Sequence, residues 1–128
     1  MKITLLGDDG IRLEPIPGPM TIEAKSADQL YSPFHMMASS LAFCTYSVLV
    51  SWATNAKLES GDIVIELRWT FVEAPHRVGG IDVKIVWPSL PEARRSAAGR
   101  VSELCAIHAT LTHPPTITAA VESTAAAP

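Results

Sequence analysis

The sequence has few charged residues and none in its longest apolar stretch. Only 18 % of its 128 residues are Asp, Glu, Lys or Arg, and the net charge of −3 leaves no basic surface for nucleic acid. No nucleic-acid partner is therefore expected. The N-terminus lacks the long apolar run and small-residue cleavage site of a signal peptide, which predicts a cytoplasmic protein.

Several catalytic and binding motifs are also missing from the sequence. Without a Walker A loop or a GxGxxG sequence, nucleotide binding has no support. A serine or cysteine hydrolase would need a nucleophile elbow and a glycine-rich oxyanion loop, and neither occurs. No linker or internal repeat divides the chain, and its 48 % hydrophobic content is that of one globular domain with a real core.

The uncharged stretch predicts a long central helix over residues 32–58. Ser32 suits the N-cap and Pro33 the first helical position, where its missing N–H costs nothing. The stretch is long enough to cross a bilayer, but Ser, Thr, Tyr and Asn residues dilute it, so a buried helix is predicted and a membrane span is not. With about 100° per residue, one helix face combines a cysteine with large apolar side chains. That face consists of Phe34, Met37, Leu41, Cys44 and Val48.

Alternating apolar residues predict β-strands on both sides of this helix. Three strands are expected within 1–31, around the turn GDDG, and an antiparallel hairpin within 62–87. A second helix and turn are predicted at 89–113, starting with a capping box of Ser89 and Glu92, and a last strand at 116–122. This order predicts an α+β domain whose antiparallel sheet packs on the long helix.

The two cysteines are the residues best able to carry chemistry, and both are expected to be reduced at rest. Three interpretations of Cys44 and Cys105 are open: buried packing residues, a redox pair, or metal binding by Cys105 with His108 and His113. A structural zinc site needs four ligands, and here a fourth of matching spacing is missing. No metal and no cofactor are therefore predicted.

Two segments carry a family resemblance. SPFHMMASSLAFCTYSVLV (residues 32–50) and VSELCAIHATLTHPPTITAAVE (residues 101–122) closely resemble the cysteine-bearing segments of the OsmC/Ohr superfamily, the osmotically inducible and organic hydroperoxide resistance proteins. The order of predicted elements agrees with that family along nearly the whole chain. The resemblance implies a single OsmC-like domain over 1–128 and an intertwined homodimer with its sites at the interface. It leaves Trp52, Trp69 and Trp87 as candidates to face the partner.

The function that the resemblance implies is that of a thiol-dependent peroxidase acting on organic hydroperoxides in oxidative-stress defence. Cys44 matches the peroxidatic position and Cys105 the resolving one, with a thiol or lipoyl compound as the reductant. The chemistry is consistent with the sequence, because a thiolate attacks the O–O bond and the resulting sulfenic acid condenses with a second thiol. The expected substrate-binding wall is apolar and suits a bulky hydroperoxide: Phe34, Met37, Leu41 and Val48.

Departures from the family's pattern leave a second interpretation open. The family lowers the pKa of its reactive thiol with an Arg that a Glu near the helix start holds in place, whereas this chain has Phe34 and His35 there. Arg12, the only arginine in the N-terminal strands, and His35 are thus the candidate catalytic activators of Cys44. Ala106 replaces the proline that usually follows the second cysteine. The alternative is a divergent OsmC-like protein, without efficient peroxidase activity, that binds a small apolar ligand.

Overall fold

The structure is a computed structural model that describes residues 1–123. Within them the chain forms five strands, three α-helices and one short 3₁₀ helix. The elements in chain order are β1 (Lys2–Leu5), β2 (Gly10–Glu14), β3 (Thr21–Glu23), α1 (Pro33–Asn55), β4 (Val64–Val72), β5 (Arg77–Val86), the 3₁₀ helix (Glu92–Arg94), α2 (Arg95–Ser102) and α3 (Ala106–Thr112).

The strands form one sheet in the order β3-β1-β2-β4-β5. Neighbouring strands are antiparallel, except that β3 runs parallel to β1 at the edge. In the β1–β2 turn the Leu6 N–H donates to the Gly10 carbonyl at 2.8 Å, and Gly7 takes a φ of 82°, which glycine adopts without a steric cost. The predicted α+β class, a sheet with a long helix packed on it, is confirmed.

The core lies between one face of the sheet and α1. Alternate residues of β1, β2 and β4 point to this face, and the helix meets them mainly with small side chains that permit a close approach. The fully or nearly fully buried residues of α1 are His35, Ala38, Ser39, Leu41, Ala42, Thr45, Leu49 and Ala53. The helix therefore turns its small residues toward the sheet. Large apolar residues such as Phe34 and Met37 are not on the face that is fully buried there.

Two of the three tryptophans belong to this chain's own core. Trp69 and Trp87 are 1 % and 8 % exposed, and the ring of Trp52 packs edge-on against Trp87 with the centroids 6.0 Å apart. Trp69 and Trp87 are thus not interface residues, and the expectation that they face a partner is wrong.

The start of the second helical region differs from the prediction. Ser89 does not cap a helix: its backbone N–H and its hydroxyl donate to the two carboxylate oxygens of Asp62, each at 2.7 Å. The chain instead enters the 3₁₀ helix at Glu92 with no side-chain cap. Asp62 lies in the loop before β4, and Pro91, not Ser89, occupies the N-cap position of the 3₁₀ helix.

The predicted last strand at 116–122 is also wrong for the single chain. Residues 114–123 lie outside any helix or strand. Ile117 and Val121 are 86 % and 93 % exposed, and none of the five strands within residues 1–123 pairs with this segment.

By length and composition α1 would be able to cross a membrane, since its most apolar stretch has a mean hydropathy of 1.4. In the structure it is the central helix of an α+β domain and packs on the sheet. Only 39 % of that stretch is buried by the chain itself, so much of an apolar helix is left uncovered.

Candidate active site

Helices α1 and α3 bring the two cysteines together. Cys44 lies near the middle of α1, and Cys105 is the N-cap of α3, where its Sγ accepts a hydrogen bond from the His108 backbone N–H at 3.4 Å. Cys105 is completely buried and Cys44 is half-buried; both are free thiols, and they lie near each other. Solvent therefore reaches the Cys44 thiol but not the Cys105 thiol.

The surroundings shift the pKa values of the two thiols in opposite directions. Burial raises the pKa of Cys44, but hydrogen bonds from the Cys105 thiol and the backbone N–H groups of Ile107 and Ala106 outweigh it, so that pKa lies below the ordinary value of 9.0. Burial and the adjoining Cys44 raise the pKa of Cys105 above its ordinary value. Cys44 is thus the thiol of the pair that ionises first.

Cys44 opens into an apolar groove of about 530 Å³ between α1, β1 and β3, which we call the Cys44 groove. Among the residues that the structure describes, no side chain with a full charge lines it apart from the Cys44 thiolate itself. Its lining consists of Ile3, Met20, Ile22, Tyr31, Ser39, Ser40, Phe43, Cys44 and Ser47.

The serines of this groove turn their hydroxyl hydrogens toward the helix. Ser39, Ser40 and Ser47 donate to backbone carbonyls three or four residues earlier, at 2.7, 2.7 and 2.9 Å. Tyr31 is different, since its hydroxyl donates to Ser39 Oγ over 3.2 Å. The groove therefore presents to a ligand mostly methylene, methyl and ring surface, together with one phenol.

The four predicted substrate-binding residues do not line the Cys44 groove. Met37 and Leu41 line a neighbouring groove of about 330 Å³ between α1, β5 and α3. Phe34 packs edge-on against Phe71 with the ring centroids 4.8 Å apart, and Val48 packs against the core. Cys44 sits at the edge of its apolar helix face, so its open side is the neighbouring face that carries the serines.

Sequence reasoning missed the wall of the groove that lies outside α1. Met20 and Ile22 come from the start of β3, and Tyr31 comes from the residue just before the helix cap. In the sequence, only the apolar residues of MTIE (20–23) pointed to this wall. The spacing of residues along α1 predicts which of them share a face with Cys44, but not which strand packs beside that face.

Arg12 is not brought to Cys44 within this chain. Its neighbours Ile11 and Leu13 are fully buried against the core, so alternation turns Arg12 to the opposite face of the sheet from α1. There its Nε donates to Glu66 Oε1 at 2.9 Å, on the adjacent strand β4.

His35 is a structural residue at the start of α1. It is 1 % exposed, and its Nε2 lies 2.9 Å from the Gly7 carbonyl while its Nδ1 accepts the Ser32 backbone N–H at 3.1 Å. Ser32 Oγ in turn accepts the His35 backbone N–H at 3.3 Å, which completes a capping box. The imidazole thus ties the helix start to the β1–β2 turn, and it lies nine residues before Cys44.

The Cys105, His108 and His113 cluster does not converge on one point. Among residues 1–123, no group of three Cys, His, Asp or Glu side chains is placed to hold a metal ion. Cys105 Sγ accepts the His108 backbone N–H, and the ring of His113 lies at the end of α3, with Nδ1 3.3 Å from the Ala109 carbonyl.

Comparisons with known proteins agree with this architecture. Two solved structures share the fold: an OsmC-like hydroperoxide resistance protein from Jannaschia sp. CCS1 has a TM-score of 0.62 at 19 % identity, covering 79 % of this chain and 72 % of its own. A protein from Psychrobacter arcticus 273-4, named for an osmotic-stress-induced and detoxification response, has a TM-score of 0.60 at 17 % identity, covering 84 % of each chain.

Comparison with curated protein sequences finds no significant match. The model of the OsmC-like protein family matches residues 26–120, a range that includes α1, β4, β5, α2, α3 and both cysteines. The chain therefore belongs to the OsmC-like protein family.

Proposed function

We propose that this protein is a thiol-dependent peroxidase that reduces organic hydroperoxides with Cys44 and Cys105 and acts in oxidative-stress defence in the cytoplasm. The observation that carries the proposal is the proximity of a half-buried thiol of lowered pKa to a fully buried thiol of raised pKa, beside an apolar groove. The structural neighbour from Jannaschia, whose name refers to hydroperoxide resistance, gives further support.

The geometry supports a two-thiol cycle. The Cys44 thiolate attacks the terminal oxygen of the hydroperoxide, and the O–O bond breaks as the S–O bond forms. The terminal oxygen stays on Cys44 as a sulfenic acid, and the other oxygen leaves with the organic group, gains a proton and becomes the alcohol. Cys105, which lies near Cys44, condenses with the sulfenic acid to form a disulfide and release water. A small dithiol or lipoyl compound then returns both cysteines to the thiol state by thiol–disulfide exchange.

The reaction itself is tested by following hydroperoxide consumption. We expect the wild-type protein to consume cumene hydroperoxide with dithiothreitol or dihydrolipoamide as reductant, because the Cys44 groove is apolar and large enough for an aryl or alkyl group. Hydrogen peroxide should react more slowly, because it has no organic group to contact the apolar lining of the groove. If neither reductant supports consumption of cumene hydroperoxide, and Cys44 alkylates with an ordinary thiol pKa, the proposal is wrong.

A second function is favoured by one observation. Among the described residues no Arg or Lys lines the Cys44 groove, and Arg12 is paired with Glu66 on the far side of the sheet. A divergent OsmC-like protein that binds a small apolar ligand in this groove would have the same features. In that case cumyl alcohol would raise the melting temperature, and cumene hydroperoxide would do so without being consumed.

The same proposal includes a homodimer in which a second copy covers the outer face of α1. Met36 and Phe43 on this face are 54 % and 44 % exposed, as is Ile22 of the neighbouring β3 at 46 %. The extended segment 114–123 exposes Ile117 and Val121 almost completely. Exposed large apolar side chains grouped on one helix face and on an extended segment favour a protein partner, and most soluble oligomers are symmetric homo-oligomers.

We expect light scattering at micromolar concentration to show a dimer. Phe43→Asp should shift the population to monomer, because it places a charge in the centre of the proposed contact without entering the core. Ala93→Asp, on the exposed 3₁₀ helix, provides the matched control and should remain dimeric. A monomeric wild-type protein would contradict the homodimer.

A further inference from the structure

The Cys44 groove contains an ionisable residue that the two-thiol cycle does not use. Of the residues lining the groove in the described part of the chain, only Cys44 and Tyr31 carry a side chain that gains or loses a proton. Tyr31 immediately precedes Ser32, the cap of α1, and it is half-buried. Its hydroxyl donates to Ser39 Oγ, and Ser39 lines the same groove on the helix that carries Cys44.

Reduction of a hydroperoxide needs a proton as well as a nucleophile. When a thiolate attacks one oxygen and the O–O bond breaks, the other oxygen leaves as an alkoxide, which is a strong base. The nearby serine hydroxyls are poor donors for this purpose, because each is already committed to a helix carbonyl at 2.7–2.9 Å. Tyr31 has the longest of these hydrogen bonds, 3.2 Å to Ser39 Oγ, so its hydrogen is the one that is redirected at the lowest cost.

We propose that Tyr31 is the proton donor to the leaving alkoxide when Cys44 reduces an organic hydroperoxide, an inference that rests on the proposed peroxidase function. In this step the S–O bond forms as the O–O bond breaks, and the phenol proton moves to the departing oxygen. Cys44 is oxidised to the sulfenic acid, the hydroperoxide is reduced to the alcohol, and the phenolate of Tyr31 regains a proton from water. Protonation by Tyr31 would neutralise the negative charge that develops on the departing oxygen, which a cation in the groove would otherwise stabilise.

The decisive experiment compares two oxidants in one variant. Cumene hydroperoxide releases an alkoxide, whereas peracetic acid releases a carboxylate that leaves without needing a proton. In single-turnover measurements of Cys44 oxidation we expect Tyr31→Phe to lower the ratio of the cumene hydroperoxide rate to the peracetic acid rate by about 100-fold, since general acid catalysis contributes typically 10²–10⁴-fold. A purely structural role of the ring would lower both rates together and leave the ratio unchanged.

Tyr46→Phe provides the matched control, because it makes the same change at a tyrosine of α1 that does not line the Cys44 groove. The rate ratio of this variant should remain at the wild-type value. The inference is overturned if Tyr31→Phe keeps the wild-type ratio, or if Tyr46→Phe lowers it as much as Tyr31→Phe does. Failure of the peroxidase function has a different signature, since the wild-type protein would then fail to reduce cumene hydroperoxide at all.

Discussion

Cys44→Ser should abolish reduction of organic hydroperoxide, whereas Cys105→Ser should still react once and then stop as an oxidised monothiol. Cys44 is the thiol with the lowered pKa and the open groove, so its removal leaves only a buried thiol of raised pKa. Cys105 supplies the second thiol, so without it the sulfenic acid has nothing within the chain to condense with. In the absence of a reductant, mass spectrometry should show a disulfide in the wild-type protein and Cys44 sulfenic or sulfinic acid in Cys105→Ser.

The serine at position 105 is a well-matched replacement. Cys105 is an N-cap whose Sγ accepts the His108 N–H, and serine is among the preferred N-cap residues, so α3 should keep its start. Peroxidase activity remaining in Cys44→Ser, or a wild-type product other than the Cys44–Cys105 disulfide, would show that the two thiols are not the redox pair.

The sequence was sufficient to predict the elements that depend on local patterns. The uncharged stretch with Ser32 and Pro33 at its start gave the long helix, and strict alternation gave β4 and β5, because burial on one face imposes these periods. The prediction of a strand at 116–122 failed although its apolar content was recognised, since a strand exists only where another strand pairs with it.

The site was harder to predict because it depends on what lies across from α1. The side to which Arg12 points follows from the register of β2 with β4, which pairs Arg12 with Glu66. From the sequence, His35 was a candidate activator of Cys44. In the structure its two ring nitrogens instead contact the Ser32 backbone N–H and the Gly7 carbonyl. Tyr31 has no motif of its own, and only the folded chain shows that it shares a groove with Cys44.

Replacing Ala106 by proline should raise the pKa of Cys44 and slow its reactions below that pKa. The Ala106 backbone N–H is one of the donors that lower this pKa, and proline has none. Ala106 is the first residue of α3, a position that proline tolerates well, so the helix should persist. This donor has the smallest effect of those acting on Cys44, and a modest hydrogen bond is worth about 0.5 kcal/mol, so the thiolate fraction at a fixed pH below the pKa, and with it the iodoacetamide alkylation rate, should fall about two- to threefold.

The measurement is the alkylation rate of Cys44 as a function of pH. The wild-type midpoint should lie below the ordinary value of 9.0, and the Ala106→Pro midpoint should move upward, because fewer donors stabilise the thiolate. Ala106→Gly keeps the N–H and should keep the wild-type midpoint. A wild-type profile in Ala106→Pro, together with an upward shift in Arg12→Ala, would assign the activation to a cation that reaches Cys44 across a dimer. A shift confined to Ala106→Pro would show that the backbone N–H at position 106 stabilises the thiolate.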